Sequence, residues 1–376
     1  MKILHITPAY KPAYVYGGPT MSVAMLCEEL TKTGVFVDVF TTTANGNTEL
    51  DVTPNVLQNV DGVDVTYFKR ITKDHTHFSP ALLKHLNGHV RNYDVVHIHA
   101  WWNLVSVLSC FVAVKNGIPV VISPRGMLSS YSFDNGIKGI KSILHNSIGK
   151  RLLSKCHIHA TSDYEAAVIK RLINTDRIHA LPNFVKLSHS ENNTSPMPTK
   201  ELKLLFFSRI DEKKGLDILL ESLKILTLPF QLTIAGDGNP VYIEKLKQLS
   251  TVIQDKISWV GFIKEDKFNL IAKHDLLVLP SHDENFANVV VESLSVGTAV
   301  LLSENVGLAD YVLDNNFGWV CKTTPSSITE NIANVAANKV LLEDIRTTAP
   351  TRIKQDFTGE PLTKQYIDLY QHVIDQ

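Results

Sequence analysis

Short β-branched runs alternate with amphipathic stretches along almost the whole chain, and the alternation stops once and restarts. That pattern constrains the fold more than any other feature. Near-continuous apolar strands separated by helices read as a parallel sheet covered on both faces. The first series of expected strands falls at 2–7, 35–42, 63–68, 94–100, 119–124, 156–161 and 177–183. Between the first two, residues 20–34 read as a helix stopped by Gly34, with glycine where the backbone leaves the helix. "VKLSHSENNTSPMPTKE" then breaks the rhythm. It is polar, carries two prolines and has no period, so it reads as a linker. A second series follows at 202–209, 230–238, 257–263, 275–281, 299–305 and 317–322.

The reading is therefore α/β, with two tandem Rossmann-like, doubly wound domains facing across a cleft. The expected boundaries are 1–185 for the first domain, 186–201 for the linker and 202–357 for the second. A length of 376 residues suits two cores, at roughly 150 residues per domain. The formal net charge of -1 gives no electrostatic case for nucleic acid. Cys27, Cys110, Cys156 and Cys321 are scattered, with no CxxC, which fits a reducing compartment without disulfides or a zinc framework. No apolar window is long enough to span a bilayer, and the opening "MKILHITPAY" is too short for a secretory leader. A cytoplasmic protein is expected.

Ligands of doubly wound folds sit at the carboxyl ends of the strands, and a cleft between domains is the default site. Gly17 and Gly18 follow the first strand and precede a helix. Such a turn permits close backbone approach to phosphate, or is an ordinary loop. His97 and His99 share one strand face. His97 reads as a hydrogen-bonded core residue and His99, nearer the strand end, as a site residue. Two histidines alone make a poor metal site, and no third ligand stands at suitable spacing, so no metal is assigned. Trp101 and Trp102 follow, as possible acceptor contacts. Arg125, after the strand at 119–124, is either an anion contact or a surface arginine.

In the second half, Arg209 ends a strand, and Lys213 and Lys214 stand at the mouth of a helix. Cations there oppose the helix dipole, which suggests an anion between them. "LPSHDENFANVVVESLSVGTAV" places Glu284 and Glu292 about a nearly uncharged run. A helix starting near Phe286 would offer backbone N–H groups around Asn285, Phe286, Ala287, Asn288 and Val289 to phosphate, with Glu292 two turns in. A helix rises ~12 Å over eight residues, too far for an acid/base pair. The spacing instead fits a nucleotide sugar, with Glu292 on the ribose and Glu284 on the transferred hexose. The plainer alternative is a capping Glu284 and an ion-paired Glu292.

These pieces, with "YGGP", "DVVHIHAWW", "SPRGML", "ATSDYEA", "LPNFV", "SRIDEKKGLD" and "AGDG" in this order, make the whole chain resemble the retaining family-4 glycosyltransferases of the GT-B fold, the "glycosyl transferases group 1" class. The resemblance implies a hexosyltransferase using a UDP- or GDP-linked sugar, with no further cofactor, and a glycan or lipid-linked glycan acceptor, as in surface polysaccharide synthesis. It implies that Arg209 and Lys214 neutralise the diphosphate, that Glu292 holds the ribose and Glu284 the donor sugar, and that His99 lies beside that sugar and Gly18 near the diphosphate. It also implies that residues 358–375 cross back onto the first domain. Many members have Glu-Gly-Phe-Gly where this chain has Glu284-Asn285-Phe286-Ala287. No D-x-D pair is present to hold a divalent cation, so a metal-independent reaction is expected. Lys138, Lys141, Lys150, Arg151 and Lys155 surround an apolar helical stripe in 136–155, either a solvated face or a contact with anionic membrane. The alternative function is a nicotinamide-dependent oxidoreductase on the same fold class, although neither "GDGNP" nor "YGGPTM" fits G-x-G-x-x-G.

Overall fold

The computed structural model describes residues 1–129, 149–173, 175–188, 201–263 and 266–376. The chain divides into two compact units, Met1–Lys186 with Phe357–Gln376, and Leu187–Asp356.

The first unit is built on eight strands: β1 (Lys2–Thr7), β2 (Phe36–Thr42), β5 (Leu57–Val60), β6 (Val63–Phe68), β7 (Val95–His99), β8 (Val120–Ser123), β9 (His157–Ala160) and β10 (Ile178–Ala180). A separate small hairpin pairs β3 (Ala44–Asn45) with β4 (Thr48–Glu49). The large sheet has the order β10-β9-β8-β7-β1-β2-β6-β5. All its pairings are parallel except β5 with β6. Alternation along the strands gives two cores. Leu4 and Ile6 face one, with Phe40, Val96 and Trp101. Ile3, Val37, Val39 and Val65 face the other, which includes Leu362, Tyr366 and Tyr370 of the helix Gly359–Ile374.

The second unit carries β11 (Leu202–Phe207), β12 (Phe230–Ala235), β13 (Ile257–Gly261), β14 (Leu276–Leu279), β15 (Ala299–Ser303) and β16 (Gly318–Cys321). Their order is β13-β12-β11-β14-β15-β16, parallel throughout. Each large sheet therefore has one place where the strand order reverses: between β1 and β7 in the first unit and between β11 and β14 in the second. Loops leaving the carboxyl ends diverge at such a point and leave room for a ligand.

Residues 189–200, most of the expected linker, and 136–148, most of the expected basic helix, lie outside the described residues. Among the described residues no helix is long and apolar enough to cross a membrane.

Candidate functional site

In the second unit the reversal point is lined by the segments after β11 and β14. Asp211 caps the short turn Glu212–Lys214 by accepting the Lys213 N–H at 3.0 Å. The chain turns at Gly215, whose φ is 67°. A Cβ there would stand 2.2 Å from the Pro280 carbonyl oxygen, so glycine is what lets the two segments meet. His282 N–H donates to the Lys213 carbonyl at 2.8 Å. This contact sets two lysines opposite two carboxylates. Lys213 Nζ lies 2.8 Å from Asp283, and Lys214 Nζ pairs with Glu284. The anion expected between the lysines is thus, in this structure, the protein's own. Glu284 is further fixed by its backbone, with its N–H on the Asn305 carbonyl (3.0 Å) and its carbonyl accepting the Gly307 N–H (2.7 Å). Arg209 is exposed, 4.0 Å from Asp211. "AGDG" packs tightly behind it: a Cβ on Gly236 would lie 1.9 Å from the Ser208 carbonyl oxygen.

The stretch after Glu284 corrects the sequence reading. The helix spans Asn288–Leu294, starting two residues later than expected, so Asn285, Phe286 and Ala287 precede it. Phe286 is buried and fills the core. Ala287 has φ 71° and ψ 78°, a left-handed conformation that favours glycine. Asn288 and Val289 open a helix of seven residues, and Glu292 lies one turn in rather than two. Its carboxylate is buried and meets Lys267 Nζ at 2.6 Å. Lys267, absent from the expected set, belongs to the helix Lys267–Ala272. The run between the glutamates is not one helix, so the ~12 Å rise does not apply.

In the first unit Gly17 (φ 67°) precedes the helix Gly18–Lys32, and both glycines are exposed. His99 is buried, with both ring nitrogens engaged inside the unit. Nδ1 lies 3.3 Å from the Arg125 guanidinium and Nε2 lies 3.0 Å from His5 Nδ1. A guanidinium only donates, so His99 accepts at Nδ1 and donates from Nε2. Burial holds His99 and His97 well below the usual imidazole pKa and lowers His5 to about 3, with the Arg125 cation adding to each shift. A role for His99 beside a sugar requires one of these nitrogens to be released.

His5 is the third histidine that the spacing argument missed. It stands 92 residues before His97 and pairs with it in the β1–β7 register. The three could lie around one metal ion, but both His97 nitrogens are already bonded, to Tyr370 Oη (2.8 Å) and Ser123 Oγ (2.6 Å). A cationic guanidinium also stands against His99. The cluster is a hydrogen-bonded polar stripe, which bears out His97 as a core residue.

Arg125 is not a surface arginine. Its φ is 53°, and its guanidinium turns inward to His99 and to Asn183 Oδ1 at 2.9 Å. Burial lowers its pKa. Glu165, unassigned in the sequence, clamps this loop: its carboxylate accepts the Gly126 N–H (2.6 Å) and the Thr161 N–H and hydroxyl (both 2.7 Å). Trp101 also departs from expectation. It is fully buried in the apolar core, so its ring is not available as an acceptor contact. Trp102 is half-buried, its indole N–H donating to the Met127 carbonyl at 2.7 Å. It lines an apolar hollow of about 300 Å³ with Leu104, Val107 and Phe111.

Two reversal points define a two-domain doubly wound fold, and its relatives give the class of protein. Residues 16–189 match Glycosyltransferase Family 4, and residues 189–352 match Glycosyl transferases group 1. An uncharacterized glycosyltransferase of Methanocaldococcus jannaschii is 26% identical over 408 aligned positions, covering 98% of each chain. A glycogen synthase of Rhodopirellula baltica is 27% identical over 191 positions, 44% of this chain and 36% of that one. In fold, a sucrose-phosphate synthase from Thermosynechococcus elongatus superposes with a TM-score of 0.74 at 19% identity, covering 100% of both chains. Anabaena HepE, solved in complex with UDP and glucose, gives 0.75 at 17%, covering 99% of this chain and 100% of that one. The fold is GT-B. The chain belongs to the group 1, family-4-like glycosyltransferases, and the oxidoreductase alternative finds no support.

Proposed function

We propose that this glycosyltransferase moves a hexose-type sugar from a UDP- or GDP-linked donor to a glycan or lipid-linked glycan, with retention and without a divalent cation. The observation that carries the reading is the set of Lys213–Asp283, Lys214–Glu284 and Lys267–Glu292 pairs in the second unit, the first two joining the segments on either side of its reversal point. A fold neighbour solved with UDP and glucose supports a nucleotide diphosphate donor.

In this scheme the diphosphate competes with Glu284 for Lys214, and Arg209 closes on it from solvent. Glu284, released from Lys214, turns its carboxylate to the sugar hydroxyls, while Glu292 accepts from the ribose. The bond between the anomeric carbon and the phosphate oxygen breaks, its electron pair staying on the phosphate. The acceptor hydroxyl attacks the same face and gives its proton to that departing oxygen. Arg209 and Lys214 supply the positive field for the leaving group.

Lys150, Arg151 and Lys155 are exposed while Leu152 and Leu153 are buried. The apolar hollow by Trp102 also reaches Leu152. Both features support a lipid-linked acceptor at the cytoplasmic face of a membrane, in surface polysaccharide synthesis. A thermal-shift screen of nucleotide sugars, with product analysis of any hit, tests the donor. Sedimentation with anionic vesicles at low salt tests the acceptor side: release at high salt is expected, and indifference at low salt points to a soluble acceptor.

A further inference from the structure

The sheet of the first unit ends in a second group of histidines, separate from the His5–His97–His99 stripe. His157 lies on β9, His179 on the edge strand β10, and His372 near the end of the helix Gly359–Ile374. His157 and His179 share a sheet face by the parallel register of β9 and β10. The helix supplies the third ring. The ring centroids stand 5.4, 5.5 and 6.1 Å apart.

We infer that His157, His179 and His372 form a binding site for a divalent transition-metal cation of the zinc class. The closest pair already has nearly the required spacing. His157 Nδ1 and His179 Nε2 are 3.1 Å apart. Two imidazole nitrogens bound at ~2.0–2.1 Å to one tetrahedral cation stand about 3.3–3.4 Å from each other. The bond between them holds one N–H. On binding, that proton moves to the other nitrogen of the same ring, so both rings stay neutral and both lone pairs face the cation. His372 is exposed on its helix, and its present bond is to the Gln376 side chain at 2.9 Å. In the present conformer its nitrogens do not converge with those of His157 and His179, so binding requires a rotation of the His372 side chain toward them, with water completing the coordination. Imidazole suits zinc, copper and nickel better than magnesium or calcium. Arg177 is the cation felt by His157, and it opposes the site.

The bound ion would tie the edge strand to the C-terminal helix. It is a structural clamp with no part in sugar transfer, and it does not depend on the donor reading. The other histidine groupings fit less well. In the buried stripe both nitrogens of His97 and of His99 are occupied, the latter by a guanidinium, which leaves only His5 Nε2 without a partner. His85 and His89, stacked with centroids 4.1 Å apart, offer only two ligands from one helix.

The test uses untagged full-length protein stripped with a chelator and titrated with Zn²⁺ and Co²⁺. One cation per chain is expected, with a rise in melting temperature. His372→Ala, at an exposed position, and His179→Ala should each weaken binding at least tenfold and abolish the rise, while His89→Ala changes neither. Binding of His372→Ala at wild-type strength overturns the inference, as does loss of the site in His89→Ala or a wild-type protein that takes up no ion.

Discussion

Replacing Glu292 by Gln keeps the shape of the side chain and removes its charge. Two losses follow, and they separate by assay. The first is the ion pair with Lys267. The lysine is the more open partner, its side chain 30% exposed against 11% for the carboxylate. Once released it regains water, so the fold loses no more than about 1 kcal/mol. The second is the hydrogen bond proposed to the ribose. A charge-assisted hydrogen bond contributes ~1.5–3 kcal/mol, which converts to roughly ten- to 150-fold in affinity. Calorimetric titration with UDP and GDP should therefore show a drop of that size, with a melting curve barely displaced. Lys267→Met is the counterpart. It strands a buried carboxylate and should destabilise the fold by about 3 kcal/mol, while leaving the ribose its acceptor and nucleotide affinity intact. Wild-type affinity in Glu292→Gln, with loss of affinity in Lys267→Met, would refute the assignment and leave Glu292 a structural anchor for the lysine.

Lys214→Ala should lower turnover about 100-fold, by analogy with removing one donor from a developing oxyanion. Activity should survive EDTA, and its loss to EDTA with recovery on Mg²⁺ or Mn²⁺ would count against the metal-independent scheme. Gly236→Ala forces a Cβ onto the Ser208 carbonyl oxygen at 1.9 Å, so a fall in stability of at least ~2 kcal/mol is expected by denaturant titration; a wild-type curve would mean that this turn yields easily. His5, with a pKa of about 3, and His97 and His99, which burial holds well below the ordinary imidazole value of about 6.5, stay neutral in the fold. The unfolded chain therefore binds protons first as pH falls. Stability is full above about pH 6.5 and declines toward pH 3, by up to ~1.4 kcal/mol per pH unit for each such histidine. Denaturation midpoints that are level between pH 7.5 and 5 would contradict this.

The strands were legible because buried parallel strands need β-branched runs, and "VDVTYF" predicts β6 to the residue. β5 was not, because "LQNV" is polar and lies on an edge with little to bury. Lys214 and Glu284 stand beside strand ends, as the strand pattern predicts, and the structure pairs them with each other. Partners brought in from other elements were not legible. Lys267 meets Glu292 from another helix, and His5 meets His97 only through strand register, so neither pairing leaves a local trace. The left-handed Ala287 explains the late helix start, but alanine gives no sign of it in sequence. The three-fold echo "HIHA", "HIHA" and "IHA" at 97–100, 157–160 and 178–180 is the sequence signal that these histidines carry.

The first unit is completed by the helix Gly359–Ile374, whose Tyr366 and Tyr370 lie over His159 and His97. On the ribosome, every strand of that sheet has been made by residue 180, yet its polar stripe stays open to water until the helix emerges. Some 190 residues separate the two events. At about 5–20 residues per second, synthesis takes roughly 10–40 s to cover that distance. During that interval the histidines are hydrated and free to take up protons, and the apolar face around Ile3, Val39 and Val65 lacks part of its cover. The nascent chain passes through that interval with this part of one core face uncovered, so the moment at which the first unit can close is set by translation.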